Sequence, residues 1–404
     1  MQILLLLMAT TLAPKITDKY FTFQFALLCV SNFLFSASFS MMLPELPGYL
    51  THLGGADYKG YIIALFTLMA GISRPFSGKL TDTVGRVPVM IFGSLVCVIC
   101  SLMYPLLTTV AGFLFLRFLH GFSTGFKPTA TSAYGADVVH QSRRGEALGA
   151  LTVGYTVGNS LGPLLGSYLV NHFSYNLMFY VSAGFALGSV TILYNIRETL
   201  LEPKKFRLEF IKIRRHEVFE KTAFRPAFIM LLLAFSTGCT LTIVPDLSDW
   251  VGIQNRGLFF GCYTVSSLLI RLVANKSSDR YGRIIVLIWS SFGLAAAMLL
   301  LSFTHSAVML LISAAMFGLS WGMNGPTLAA WTVDLAEPEN RGRALASMYI
   351  ALEAGIGLGA IASAKIYNNQ SGHFVYTFIA PAVLAIISAL MLIIWRRKKT
   401  AKEV

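Results

Sequence analysis

One phrase of nine residues constrains this chain more than any other feature. Gly78-Lys-Leu-Thr-Asp82-Thr-Val-Gly85-Arg86 returns as Asn275-Lys-Ser-Ser-Asp279-Arg-Tyr-Gly282-Arg283. The step of 197 residues from Asp82 to Asp279 also carries Arg74 to Arg271, Asp137 to Asp334, Gly158 to Gly355 and Gly162 to Gly359. Charges and glycines recurring in one register mark a duplicated unit. Both copies sit between long apolar runs, so the unit is a membrane one.

The chain is 55% hydrophobic and 13% charged, far from a soluble domain. About 20 apolar residues cross a ~30 Å hydrocarbon core. Apolar windows fall roughly at 22–45, 58–81, 88–107, 110–137, 145–170, 176–196, 226–247, 256–276, 284–303, 307–334, 343–366 and 373–395. They predict an all-α membrane protein with twelve transmembrane helices in two pseudo-symmetric six-helix bundles. The expected divisions are a tail at 1–21, a bundle at 22–196, a basic link at 197–225, a bundle at 226–395 and a basic tail at 396–404. Little chain remains for a soluble enzyme domain. A membrane barrel would instead show ~10-residue alternating segments.

The formal charge of +13 suggests nucleic acid until its placement is considered. Of 32 lysines and arginines, only Lys59, Arg256 and Lys365 fall on the side away from the termini. Arg74, Arg117, Lys127 and Arg271 lie within helices, and the rest share the termini's side. By the positive-inside rule both termini are cytoplasmic. The link, with Arg197, Lys204, Lys205, Arg207 and Arg225 among its charges, is read as touching anionic lipid headgroups. The compact loops suit a bacterial cytoplasmic (inner) membrane. All five cysteines lie in spans, and Cys97-x-x-Cys100 lacks a second ligand pair, so it is read as packing, with no metal site.

Gly85 and Gly282 suit tight turns, and Asp82 and Asp279 can accept from arginine or from a helix N-terminus. With Gly78, Arg86 and Arg283 they form loops able to hold the bundles in one conformation and release them in another. G-x-x-x-D-x-x-G-R after the second helix, echoed after the eighth, resembles the signature loop of the major facilitator superfamily. Asn275 and Thr83 depart from that pattern. In the fifth span Gly149, Gly158, Gly162, Pro163 and Gly166 flatten one helix face and permit a bend. They resemble the antiporter signature of that family's drug:proton exchangers, with Ser167 replacing the final glycine. The resemblance implies efflux by antiport, and hence a multidrug-resistance type of activity. Arg117-x-x-His120-Gly121 resembles a family element tied to proton coupling, with His120 where glutamine is usual. Pro44-Glu45-Leu46-Pro47 resembles the exporters' paired-proline element, and Pro245-Asp246-Leu247 is its shifted echo.

Charges deep in a membrane face a cavity or a partner. Lys127 lies ten residues from Asp137, or ~15 Å, near the midplane. Glu353 lies at matching depth in the other half, so an ion pair between them, or with substrate, is expected. Ser123, Tyr134, Asn324, Trp321 and Tyr155 are further cavity candidates. Proton carriers are sought among Glu353, His120, Arg117, Glu45 and Asp246. Arg74 with Asp137, and Arg271 with Asp334, are expected as gating clamps. The reading is a secondary active transporter, not an enzyme, that exports a small amphipathic compound in exchange for protons. It needs no cofactor, draws on the proton gradient, contacts membrane lipid and works as a monomer. A proton-coupled symporter or uniporter for a sugar, organic acid or other metabolite is the alternative. Neither a His-Glu zinc spacing nor a serine-centred catalytic constellation is evident.

Overall fold

The computed structural model describes residues 22–138, 144–211, 219–274, 277–337 and 340–400. The tail 1–21, Asn275 and the last residues of the basic tail lie outside them. Twelve long helices carry the architecture, and no described residue is in a strand. The first six are α1 (Phe23–Met42), α2 (Lys59–Thr83), α3 (Arg86–Met103), α4 (Val110–Asp137), α5 (Arg144–His172) and α6 (Tyr175–Tyr194). The second six are α7 (Phe224–Trp250), α8 (Gly257–Val273), α9 (Arg283–Ser302), α10 (Ala307–Leu335), α11 (Arg341–Tyr367) and α12 (Phe374–Thr400). Among the described residues, nine segments are long and apolar enough to cross a membrane. The exceptions are α4, which carries Arg117 and Lys127, the glycine-rich α5, and α8, which has 17 residues. Arg117 and Lys127 are both buried within the protein.

Local chemistry repeats with the helices. Thr109 caps α4 by accepting from Gly112 N, and Ser306, its equivalent one step later, caps α10 by accepting from Met309 N. Each cap satisfies a donor that the helix leaves open. Gly85 and Gly282 precede α3 and α9 with φ of 134° and 89°, values that favour glycine.

Packing obeys the same symmetry. In the first half α1 packs on α5, α2 on α4, and α3 on α4 and α6; in the second, α7 packs on α11, α8 on α10, and α9 on α10 and α12. The halves meet along α2 with α11 and along α5 with α8. Gly158, Gly162 and Gly166 press α5 against α1: a Cβ on Gly162 would lie 2.8 Å from the Ala37 carbonyl oxygen. Gly355 and Gly359 do the same between α11 and α7. Gly149 and Gly78 have no neighbouring atom within 4 Å of such a Cβ, so close packing does not account for them. Between lipid-embedded helices such close approach supplies dispersion contacts in place of a hydrophobic driving force.

Candidate functional site

Both described ends of the chain lie on one face of the bundles, the terminus face. On the far face the two halves are tied by charge. Lys59, at the start of α2, meets Asp246 of α7 at 2.7 Å. Arg256, just before α8, meets Glu45 at 2.8 Å and Asp249 at 2.8 Å. Glu45 is wholly buried, and its other oxygen accepts from Ser167 of α5 at 2.5 Å. Asn255 donates to the Leu164 carbonyl at 3.2 Å, and Asn171 to that of Gln254 at 2.8 Å. These bonds hold the far face shut.

Halfway through, Arg74 of α2 donates to Glu353 of α11 at 2.6 Å. Its guanidinium also lies 5.2 Å from the centroid of Tyr349, and its Nε has no partner. Tyr155 of α5 is within electrostatic reach of Glu353, Arg74 and Tyr263. Its ring lies 6.1 Å from Phe39, which stacks on Phe66 at 6.5 Å. In the second half Tyr263 meets Phe317 at 5.2 Å, and Phe317 stacks on Trp321 at 6.3 Å. An ion pair with an aromatic surround thus joins two bundles inside the membrane. Removing one partner of such a buried pair costs about 3–5 kcal/mol, so whatever neutralises Glu353 acts on the joint between the halves.

Lys127 does not make the expected pair with Glu353. It is buried inside the first bundle, where Nζ donates to the Ser31 carbonyl at 2.8 Å and to the Ser189 hydroxyl at 2.5 Å. The reason is direction: residue 127 shares the α4 face of His120 and Tyr134, which turns toward α1, α3 and α6. Both of those neighbours are buried there as well. Arg117 is buried on the same helix, donating through Nε to the Ile62 carbonyl at 3.0 Å and lying 4.5 Å from the Phe66 ring. Ser123 donates to the His120 carbonyl, and Asn324 accepts from Ser290 within the second bundle. These three therefore sit in bundle interiors and not at the join.

The clamps on the terminus face also have different partners from those expected. Arg86, not Arg74, binds Asp137, at 2.9 Å; Arg283, not Arg271, binds Asp334, at 3.0 Å. Arg74 stands eight residues above Asp82 on α2, or ~12 Å, level with Glu353 and out of reach of Asp137. Arg271 instead approaches the Gly322 carbonyl at 3.3 Å. Each loop aspartate pairs with its own arginine: Asp82 with Arg86 at 3.4 Å, and Asp279 with Arg283. The first clamp has an additional part. Glu198 in the link accepts from the backbone N–H of Arg86 at 3.0 Å and of Val87 at 2.9 Å, capping α3 and complementing its dipole.

Comparison with known proteins agrees with this geometry. The family model described as Major Facilitator Superfamily matches residues 28–255 and 227–404. The chain belongs to that superfamily. It is 27% identical over 93% of its length to the uncharacterized MFS-type transporter YuxJ of Bacillus subtilis (strain 168), covering 98% of that protein. It is 26% identical over 92% of its length to the multi-drug resistance efflux pump PmrA of Streptococcus pneumoniae, covering 96% of it. The crystal structure of the human organic anion transporter MFSD10 (TETRAN) aligns with a TM-score of 0.70 at 16% identity, covering 91% of this chain and 98% of that one. At that identity the likeness concerns the fold alone.

This facilitator is thus a multi-pass membrane transporter and not an enzyme. Sequence reasoning missed Lys59, Arg256 and Asp249 as locking residues, although Lys59 and Arg256 stood out as cations on the sparsely charged side. It missed Glu198 altogether, because a carboxylate in a basic link carries no sign of the helix it will cap.

Proposed function

We propose that this transporter exports a small amphipathic organic compound in exchange for protons, alternating access between the two faces. The terminus face is read as cytoplasmic from the distribution of lysine and arginine, in a bacterial inner membrane, so the closed far face is the outer one. The conformation is then the one that admits substrate from inside. The observation that carries the proposal is the buried Arg74–Glu353 pair between α2 and α11. A proton arriving from outside neutralises Glu353 and frees Arg74, which changes the energy of the joint by enough to favour rearrangement. An amphipathic cation competes for the same carboxylate, so substrate and proton exclude each other, as antiport requires. The efflux name of the Streptococcus pneumoniae relative supports this direction. Exchange of one cation for one proton moves no net charge, so the pH gradient drives it, with each pH unit supplying ~1.4 kcal/mol, about tenfold accumulation.

The test is uptake of ethidium, an amphipathic cation, into proteoliposomes with an acidic lumen. Glu353→Gln is expected to insert normally and lose gradient-driven uptake by about a hundredfold, the scale of losing a buried pair. Unimpaired uptake by Glu353→Gln removes Glu353 from the mechanism. No uptake by the wild-type protein removes the amphipathic-cation reading.

A further inference from the structure

A seven-residue spacing recurs on four helices of the first half. It places Ser31 and Ser38 on α1, Ser94 and Ser101 on α3, His120 and Lys127 on α4, and Ser182 and Ser189 on α6. Seven residues are nearly two turns, ~10.5 Å, so each helix turns both of its residues to one face. All of them are buried, and hydrogen bonds sort them into two layers. In the layer nearer the terminus face, Lys127 Nζ donates to the Ser31 carbonyl, to Ser31 Oγ at 3.1 Å and to Ser189 Oγ, which meets Ser94 Oγ at 3.4 Å. In the layer nearer the far face, Ser182 Oγ lies 3.0 Å from Ser38 Oγ and 3.0 Å from Ser101 Oγ. Cys97 is placed between them, its thiol 3.2 Å from Ser38 Oγ and 3.2 Å from His120 Nε2. Packing alone does not call for this arrangement. The second half assembles the equivalent helices with Phe235, Met298, Phe317 and Ile379 in place of the far layer, and with Asn324 and Ile386 in place of Lys127 and Ser189.

An ammonium sealed in a membrane bundle is costly without a carboxylate. No ion pair is recorded for Lys127 among the described residues, where its partners are neutral oxygens and the Phe35 ring at 4.5 Å. The same cage also suits the uncharged amine, because serine hydroxyls donate as readily as they accept. The site accommodates both protonation states with little rearrangement. Titratable groups around it are few. α3 offers Cys97, the nearest, and Cys100; α4 itself carries Arg117, His120 and Tyr134; α1 and α6 present serines. Arg74 of α2 is turned to Glu353, and Tyr155 of α5 to the join. Arg117 places a fixed charge at the far end that opposes proton entry from that side. At the other end Tyr134 holds a buried hydroxyl with no hydrogen-bond partner, within electrostatic reach of Asp137 and Glu198.

We infer that Lys127 is a proton-binding site inside the first bundle, separate from Glu353, that exchanges with the terminus face. On release the ammonium gives one Nζ–H proton to water admitted from the terminus face, which becomes hydronium, and the neutral amine that remains keeps its bonds to Ser31 and Ser189. Uptake is the reverse. To act within a transport cycle the amine must titrate near the working pH.

Proton uptake by the purified, substrate-free protein after an acid pulse tests this, read with a soluble indicator dye from mildly alkaline to mildly acidic pH. Lys127→Met, always neutral, and Lys127→Arg, always charged, are each expected to bind one proton per chain fewer than wild type. Ser189→Ala keeps the amine and is expected to displace the uptake along the pH axis without changing its total. The one-proton difference is expected to persist in a Glu353→Gln background, which separates this site from the transport carboxylate. Equal uptake by wild type and Lys127→Arg, which retains the charge and the donors, overturns the inference. So does loss of the difference when Glu353 is replaced.

Discussion

At the scale of single residues, the far-face closure depends on two glycines as much as on charge. A Cβ on Gly60 of α2 would lie 2.7 Å from the Ala360 carbonyl oxygen of α11, and one on Gly257 of α8 would press on the Pro163 backbone of α5. Both contacts are between backbones of different halves, so neither neighbour can turn aside as a side chain would. Gly60→Ala and Gly257→Ala are expected to push the halves apart at the far face and raise the labelling rate of a cysteine placed just beneath it. Strain of 1–3 kcal/mol corresponds to roughly ten- to hundredfold in that rate. Unchanged labelling in both variants means that the interface yields without opening. The repeat register already marked Gly158 with Gly355 and Gly162 with Gly359 in the sequence, and those glycines do press on a neighbouring helix. Gly60 and Gly257 are themselves a pair in that register, at helix starts, yet only the crossing of the two halves makes them tight.

At the scale of elements, the two loop clamps are alike in sequence and unequal in structure. Asp137 binds Arg86 and also accepts from Thr199 at 2.8 Å, while Glu198 caps α3. One repeat later the position of Glu198 is occupied by Trp395, so α9 starts without a carboxylate. Glu198→Ala is expected to cost ~0.5–2 kcal/mol, the usual loss of a helix cap. It would show as a lowered melting midpoint and faster amide exchange at residues 86–89, with residues 283–286 unchanged. Equal acceleration at both helix starts would mean that the cap supports the whole fold and not this clamp. The sequence made the loops legible through glycine and aspartate spacing. It left the partners of Asp137 and Asp334 undecided, because Arg74 and Arg86 lie on the same helix–loop segment and differ only in height.

For the whole molecule, the one-sided distribution of charge carries more than topology. Lys59 and Arg256 are two of the three basic residues expected on the far side, and each crosses from one half to a carboxylate of the other. Helix number and the repeat were readable from apolar windows, since those depend on composition along the chain. Which charges meet depends on how two rigid halves are set against each other, and one conformation of an alternating pair is not written in any local pattern. The lock can be tested by exchanging its charges. Asp246→Asn leaves Lys59, with a side chain 9% exposed, without its counter-charge, and about 3 kcal/mol of that loss is expected to shift the population toward an open far face by about a hundredfold. The double exchange Lys59→Asp with Asp246→Lys restores opposite charges across the same gap and is expected to recover most of the closure, with the Glu45–Arg256 pair intact in both variants. Spin-label distances between the far ends of α2 and α7 read the population directly. If the exchanged pair stays as open as Asp246→Asn, the attraction between the two charges is not what closes this face, and the closure must rest on the packing at Gly60 and Gly257.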